Sequence, residues 1–151
     1  MYTLIVHFLS EYLLFLLFLP VIYFLKKRDY KTCLKILLGV VITFLLRKVV
    51  GSLLYEPRPF IIDPAKLLYL TAINVKDSSF FSGHASLAMS LSGAVFWKYK
   101  KLGIILIGLA VVVGIGRVLA GLHYPIDVAF GFFVGFLVSY LVKIIFHRLD
   151  I

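Results

Sequence analysis

The sequence is poor in the residues that build disulfide frameworks, metal clusters and acidic surfaces. Cys33 is its single cysteine, which excludes an internal disulfide and a cysteine-rich metal site. Asp and Glu together number 7, against 16 Lys and Arg, and the formal net charge is +9. Because acidic side chains are so few, each one that lies within an apolar stretch needs its own explanation.

Apolar sequence is what the chain has in excess. Hydrophobic residues make up 62% of it and the mean hydropathy is +1.06, whereas soluble domains contain about 45–50% apolar residues. A soluble core of 151 residues cannot hide this much apolar surface, so the composition predicts an integral membrane protein. The length suits one domain, and we expect residues 1–151 to form a single transmembrane unit.

Five apolar runs approach the length of about 20 residues that a helix needs to cross a bilayer. They cover residues 4–25, 36–55, 80–97, 102–120 and 124–146. The third and fourth runs are short and closely connected, which is typical of a helical hairpin. The first run has no basic segment before it and no A-x-A pattern after it, so we expect a permanent span rather than a signal peptide. The prediction is an all-α, polytopic transmembrane helical bundle of about five spans.

Lysine and arginine cluster at the ends of these runs, in residues 26–35, 98–101 and 143–148. Such clusters mark cytoplasmic loops, so the N-terminus is predicted outside and the C-terminus in the cytoplasm. This placement argues against a nucleic-acid partner and favours the cytoplasmic (inner) membrane. The end of span 2, the start of span 3 and the connection from span 4 to span 5 then face the periplasm or the cell exterior together.

Each of these outward ends carries a short polar segment. Residues 55–60, "YEPRPF", place Arg58 between two prolines that end a helix. Residues 77–86, "DSSFFSGHAS", place Ser82, Gly83 and His84 at a helix start, where free N–H groups favour an anion. Asp77, Ser78 and Ser79 are suitable caps for that helix.

The third segment, residues 114–127, is "GIGRVLAGLHYPID". Arg117, His123 and Asp127 follow the spacing R-x5-H-x3-D, and Pro125 is a suitable first residue for span 5. His123 and Asp127 are four residues apart, which lets the carboxylate hold one imidazole nitrogen.

Taken singly, each of these features has an ordinary structural explanation. Arg58 could extend to the interface, His84 could bond locally, and His123 with Asp127 could be a structural pair. Together they offer two guanidiniums and helix-start amides for a phosphate, and two histidines as nucleophile and acid. The set has no metal-ligand character and no Walker-type loop, so we expect neither a metal nor a cofactor.

The three segments together resemble the type 2 phosphatidic acid phosphatase superfamily. Its pattern is K-x6-R-P, then P-S-G-H, then S-R-x5-H-x3-D, and the resemblance covers residues 36–146. The chain departs from the pattern at three positions: Phe81 replaces the proline, Gly116 the serine and Gly51 the lysine.

The resemblance implies a metal-independent lipid phosphatase that works through a phosphohistidine. His123 would attack phosphorus and Asp127 would orient it. His84 would protonate the leaving oxygen and then activate water. The groups that would hold the phosphate oxygens are Arg58, Arg117, Ser82 and the amide of Gly83.

The small size and outward site favour a polyprenyl diphosphate, such as undecaprenyl diphosphate, as the membrane-lipid substrate. Lipid A 1-phosphate, phosphatidylglycerophosphate and phosphatidate are alternatives. A catalytically inactive lipid-binding protein and an anion transporter are alternatives of another class. The polar residues gather at one face and do not line a continuous route, which argues against transport.

Three further charged residues lie inside the apolar runs. Glu11 falls about 10 Å into span 1, and Arg47 and Lys48 lie at similar depth in span 2. A buried glutamate needs a partner, so the sequence predicts a structural pair of Glu11 with Arg47 or Lys48. Helical side chains lean toward the helix N-terminus, and this argues against contact of Lys48 with phosphate.

Overall fold

The structure is a computed structural model that describes residues 1–68 and 77–149. Every regular element in these two stretches is helical, as predicted. Residues 69–76, within the loop between spans 2 and 3, lie outside the described residues, as do residues 150 and 151. The helices form one bundle whose buried charged side chains gather at one end.

The first rod, Tyr2–Lys26, changes its helical geometry near its start. It consists of α1 (Tyr2–His7), a π-helical turn (Phe8–Tyr12), α2 (Leu13–Leu16) and α3 (Leu19–Lys26). Single π-helical turns occur often at functional sites, because they locally re-aim side chains. Here the turn contains Glu11, the one acidic residue of the rod.

Helix α4 (Tyr30–Leu53) follows a short turn. Asp29 caps it by accepting a hydrogen bond from the backbone N–H of Thr32 at 3.3 Å. After α4 the chain is extended as far as Arg58, and two short elements follow: α5 (Pro59–Ile62) and a 3₁₀ turn (Pro64–Lys66). Arg58 thus lies between two prolines, beyond the end of α4 and directly before α5.

Helix α6 (Gly83–Phe96) is the centre of the bundle and packs against α4, α7 and α8. Its N-cap is Ser82, whose hydroxyl accepts from the N–H of Ala85 at 3.4 Å. The prediction that residues 77–79 cap this helix is therefore wrong, because the helix starts four residues beyond Ser79. Small side chains fill its buried faces, which allows three helices to approach it closely.

Helices α7 (Lys100–Leu119) and α8 (Pro125–Arg148) complete the bundle. Pro125 is the first residue of α8, as expected. A Cβ atom on Gly131 would lie 2.8 Å from the carbonyl oxygen of Ser82, and one on Gly135 would overlap the carbonyl of Ser86. The GxxxG spacing of α8 therefore does what the sequence indicates: it brings the backbones of α8 and α6 together.

Among the described residues, four rods are long and apolar enough to cross a membrane: Tyr2–Lys26, Tyr30–Leu53, Lys100–Leu119 and Pro125–Arg148. Helix α6 has 14 residues, which span about 21 Å, short of the bilayer's apolar thickness of about 30 Å. Large apolar side chains on the outside of the bundle, among them Phe15 and Phe133, are more than half exposed. So much large apolar surface on the outside of a bundle is typical of an integral membrane protein.

Candidate active site

The polar segments meet around one cavity of about 600 Å³. Its walls come from α4, α6, α7 and the connections before α5, before α6 and before α8. The lining residues are Phe44, Arg47, Lys48, Gly51, Ser52, Arg58, Asp77, Ser78, Gly83, His84, Leu87, Arg117 and His123. The structure thus brings residues from all three predicted segments to one place.

His123 is held by a carboxylate on one side and faces a guanidinium on the other. Its Nδ1 lies 3.5 Å from Oδ2 of Asp127, and its Nε2 lies 3.2 Å from Nη1 of Arg58. A guanidinium has only donors, so Nε2 must accept and Nδ1 carries the proton. This tautomer leaves the nucleophilic lone pair on Nε2, on the side of His123 that faces Arg58.

Asp127 is completely buried and held by two further donors. Its Oδ2 accepts from the hydroxyl of Ser79 at 2.5 Å and from the N–H of Tyr124 at 2.9 Å. The same hydroxyl lies 3.4 Å from Nδ1 of His123. Ser79 is therefore a site residue that the sequence analysis assigned only to capping, and no spacing in the sequence indicates this contact.

Arg58 is buried and fixed by backbone carbonyls. Its Nη1 donates to the carbonyl of Leu122 at 3.1 Å, and its Nη2 donates to the carbonyl of Ser78 at 3.4 Å. Ser78 is the second residue whose role the sequence analysis missed: its hydroxyl donates to the carbonyl of Leu54 at 2.7 Å and ties the α4 end to the α6 start. These bonds orient the guanidinium beside His123.

The pKa values of the groups outside the spanning helices agree with these roles. Burial, together with the guanidiniums of Arg117 and Arg58, lowers the pKa of His123 far below its usual value, against the opposing effect of Asp127. His123 is therefore neutral near pH 7, the form that can attack phosphorus. Burial and the neighbouring cations also lower the pKa of Arg58, to about 10, and the guanidinium stays charged.

Ser82 and Gly83 stand at the start of α6, and only Gly83 lines the cavity. The Ser82 side chain is buried and caps the helix, and its backbone N–H donates to the carbonyl of Asp127 at 3.0 Å. The amide end of α6 is thus joined to α8 beside the His123–Asp127 pair. An anion in the cavity would lie at the positive end of the α6 dipole.

Glu11 reaches this site from the first rod. Its Oε1 lies 2.6 Å from Nη1 of Arg117, and its Oε2 lies 3.3 Å from Nε2 of His84. Arg117 also donates to the carbonyl of Ser10 at 3.4 Å. The predicted pair of Glu11 with Arg47 or Lys48 is wrong in its partner, because the π-helical turn packs on α7 rather than on α4.

A glycine makes this contact possible. A Cβ atom on Gly116 would lie 2.9 Å from the backbone nitrogen of Ser10 and 3.0 Å from the carbonyl carbon of Leu9. The side chain of the family's serine would therefore collide with the π-helical turn. Gly116 lets the turn approach α7 closely enough for Glu11 to meet Arg117.

Arg47 and Lys48 both line the cavity. Nη2 of Arg47 donates to the carbonyl of Ser78, and Nζ of Lys48 lies 5.9 Å from the centre of the Phe44 ring. The guanidinium of Arg47 runs past Gly51 toward the cavity, and the missing side chain at residue 51 leaves the space for it.

Loss of the Glu11 carboxylate should destabilise the fold. In Glu11→Gln the buried Arg117 loses its anionic partner, and removal of one partner of a buried ion pair costs about 3–5 kcal/mol. Thermal unfolding in detergent should show a clearly lower Tm for this variant. Glu56→Gln, which removes a carboxylate elsewhere, is the matched control, and equal Tm values for the two variants would contradict the role of the pair.

The fold and the site define a class: an integral membrane helical bundle that encloses a buried His–Asp pair, a second histidine and several guanidiniums. The profile of the PAP2 superfamily matches residues 30–150. The chain belongs to the PAP2 superfamily, which confirms the resemblance noted in its sequence.

Named relatives and solved structures agree with this membership. The chain is 36% identical over 138 residues to the bacitracin transport permease protein BcrC of Bacillus licheniformis, with 88% of this chain and 66% of that protein covered. It is 31% identical over 103 residues to the undecaprenyl-diphosphatase BcrC of Bacillus subtilis strain 168, with 68% and 50% covered. The chain thus spans less than two thirds of the length of either relative.

Two crystal structures share the fold. LpxE of Aquifex aeolicus superposes with a TM-score of 0.74 at 24% identity, over 91% of this chain and 80% of the other. A transmembrane PAP2-type phosphatidylglycerolphosphate phosphatase from Bacillus subtilis superposes with a TM-score of 0.62 at 25% identity, over 95% and 74%.

Proposed function

We propose that this chain is a membrane lipid phosphatase that hydrolyses a lipid diphosphate through a phosphohistidine. The observation that carries the proposal is the placement of His123, whose Nδ1 lies 3.5 Å from Oδ2 of Asp127 and whose Nε2 lies 3.2 Å from Nη1 of Arg58. A purely structural His–Asp pair needs no cation beside the other imidazole nitrogen. A nucleophile that attacks an anion does, because the guanidinium neutralises the incoming phosphate.

The reaction uses two displacements at phosphorus. Nε2 of His123 attacks the terminal phosphorus, the bond to the bridging oxygen breaks, and the lipid leaves with that oxygen and its electron pair. His84 supplies a proton to the leaving group and then accepts one from the water that hydrolyses the phosphohistidine. Arg58, Arg117 and the N–H groups at the start of α6 hold the non-bridging oxygens, where charge must be stabilised.

Support for a diphosphate comes from the cavity and from one relative. The walls carry Arg47 and Lys48 in addition to Arg58 and Arg117, against the carboxylate of Asp77, and these cations can serve a second phosphate. The Bacillus subtilis relative is named an undecaprenyl-diphosphatase. One of the two similar solved structures is named a phosphatidylglycerolphosphate phosphatase, and that lipid is the first alternative substrate.

We propose that the chain crosses the membrane five times, with α6 as the short central span and the N-terminus outside. The basic clusters at one end of the bundle and the cavity at the other support this orientation. The cavity would then open at the outer surface of the inner membrane. Phe44 and Leu87 in its wall provide apolar surface for the first carbons of the lipid chain.

The Bacillus licheniformis relative is named a transport permease, so transport is the second candidate function. The direct test is release of inorganic phosphate by the purified chain from polyprenyl diphosphate, phosphatidylglycerophosphate and phosphatidate, with and without EDTA. We expect release from the diphosphate at an undiminished rate in EDTA. Mock-purified membranes without the chain are the control. No release from any lipid would refute the phosphatase, and inhibition by EDTA would refute its metal-free mechanism.

A further inference from the structure

The side chain of Arg47 occupies space that exists because residue 51 is glycine. A Cβ atom at this position would overlap Nη1 of Arg47. The two residues are one turn apart on α4, and any side chain at position 51 would displace the guanidinium. Gly51 and Arg47 therefore act together: the absence of a side chain at Gly51 leaves a space, and the guanidinium of Arg47 occupies it.

Arg47 and Arg58 meet on one oxygen atom. The carbonyl of Ser78 accepts from Nη2 of Arg47 and, at 3.4 Å, from Nη2 of Arg58. The two guanidiniums are therefore neighbours in the cavity wall. Each guanidinium has five N–H donors, so the shared carbonyl orients both groups and leaves each with further donors for a ligand.

The cations of the cavity differ in what else they contact. Arg58 donates to Nε2 of His123, and Arg117 pairs with Glu11. Arg58 is thus in direct contact with the atom that would react. Arg47 shares the carbonyl of Ser78 with Arg58, so it lies beside the group that contacts the reacting atom.

The α4 wall is ordered along the helix in a way that fits a lipid diphosphate. Successive turns present Gly51 and Ser52, then Arg47 and Lys48, then Phe44. A molecule that extends from His123 along this wall meets cations first and an aromatic ring afterwards. A terminal phosphate, an inner phosphate and an apolar chain follow the same order.

We propose that Arg47, in the room left by Gly51, binds the inner phosphate of a diphosphate substrate and makes the site selective for it. This proposal rests on the phosphatase function proposed above. When the bond between the terminal phosphorus and the bridging oxygen breaks, the electron pair moves to the inner phosphate. Arg47 stabilises that growing charge, and a phosphomonoester has no inner phosphate to use it.

The test compares a prenyl diphosphate with the prenyl monophosphate of the same chain length. In Arg47→Gln, kcat/KM for the diphosphate should fall about 10- to 100-fold, the effect of one charged hydrogen bond. The value for the monophosphate should stay nearly unchanged. Arg148→Gln, which removes an arginine at the far end of α8, is the matched control and should change neither value.

A second pair of variants tests the role of Gly51. Gly51→Ala adds a Cβ that pushes the guanidinium aside, and it should shift selectivity toward the monophosphate in the same direction. Gly51→Lys combined with Arg47→Gln puts a cation back from the neighbouring turn and should restore the diphosphate activity. Gly51→Ala also carries the comparison if Arg47→Gln does not fold.

Two results would overturn the proposal. An equal loss on both lipids would show that Arg47 only positions Ser78, and an unchanged selectivity in both Arg47→Gln and Gly51→Ala would show that the guanidinium is not used. A wild-type chain that releases phosphate from neither lipid fails differently, because that result removes the phosphatase function itself.

Discussion

Replacement of His123 by alanine is expected to abolish phosphate release and leave the bundle folded. Nε2 of His123 is the unprotonated nitrogen beside Arg58, and its pKa lies well below the usual value, so it is the ready nucleophile near neutral pH. Removal of a catalytic nucleophile lowers kcat by about 10⁴-fold or more. The residual rate should not depend on the lipid offered.

The measurement combines turnover with trapping of the intermediate. Wild-type protein mixed with a labelled lipid diphosphate and quenched in base should carry label on a histidine, because phosphohistidine survives base. His123→Ala should carry none. His147→Ala, at the other end of α8, is the matched control and should be labelled like wild type. Label on the His123→Ala variant would assign the nucleophile to another residue.

Replacement of Asp127 by asparagine should cost almost as much, for a different reason. An amide offers its NH₂ group to Nδ1 of His123, which favours the tautomer with the proton on Nε2 and removes the attacking lone pair. The corresponding change in a Ser–His–Asp triad lowers kcat about 10⁴-fold. A loss of about 10³- to 10⁴-fold in kcat is expected here, with KM little changed because the arginines remain.

The geometry of Asp127 suggests how to separate this effect from misfolding. Its Oδ2 faces Nδ1 of His123 and also accepts from Ser79 and Tyr124, so an asparagine that turns its NH₂ group toward Nδ1 loses the bond from the N–H of Tyr124. The Tm of Asp127→Asn should therefore fall modestly below that of Asp63→Asn, a control outside the cavity, and kcat is compared at a temperature at which both variants are folded. Full activity of Asp127→Asn would show that the carboxylate does not set the tautomer.

Much of this site could be predicted because its parts are local in sequence. The His123–Asp127 pair follows from a separation of four residues across the start of α8. The extended Arg58 follows from its flanking prolines, and the meeting of the segments follows from the order of the apolar runs. Long-range contacts were not predictable in this way. Ser79 meets Asp127 across 48 residues and Arg117 meets Glu11 across 106, and nothing in the local pattern of either residue selects its partner.

The two glycines that depart from the family pattern show the same limit. In the sequence alone, Gly51 and Gly116 stand for the loss of a lysine and a hydroxyl from the phosphate site. In the structure the guanidinium of Arg47 occupies the space beside Gly51, and the backbone of the π-helical turn that carries Glu11 packs against Gly116. A residue-by-residue comparison registers each loss, whereas the compensating group comes from another turn or another helix.

The position of Glu11 also bears on where a functional unit begins. The family match starts at residue 30, yet the carboxylate 2.6 Å from Arg117 belongs to the rod before it. A fragment cut at the family boundary would keep every motif residue and lose that carboxylate, together with the Ser10 carbonyl that accepts from the same arginine. The smallest fragment that keeps this site intact is therefore longer than the segment that carries the family motifs. A chimaera that exchanges the first rod has to exchange the residue at position 116 with it.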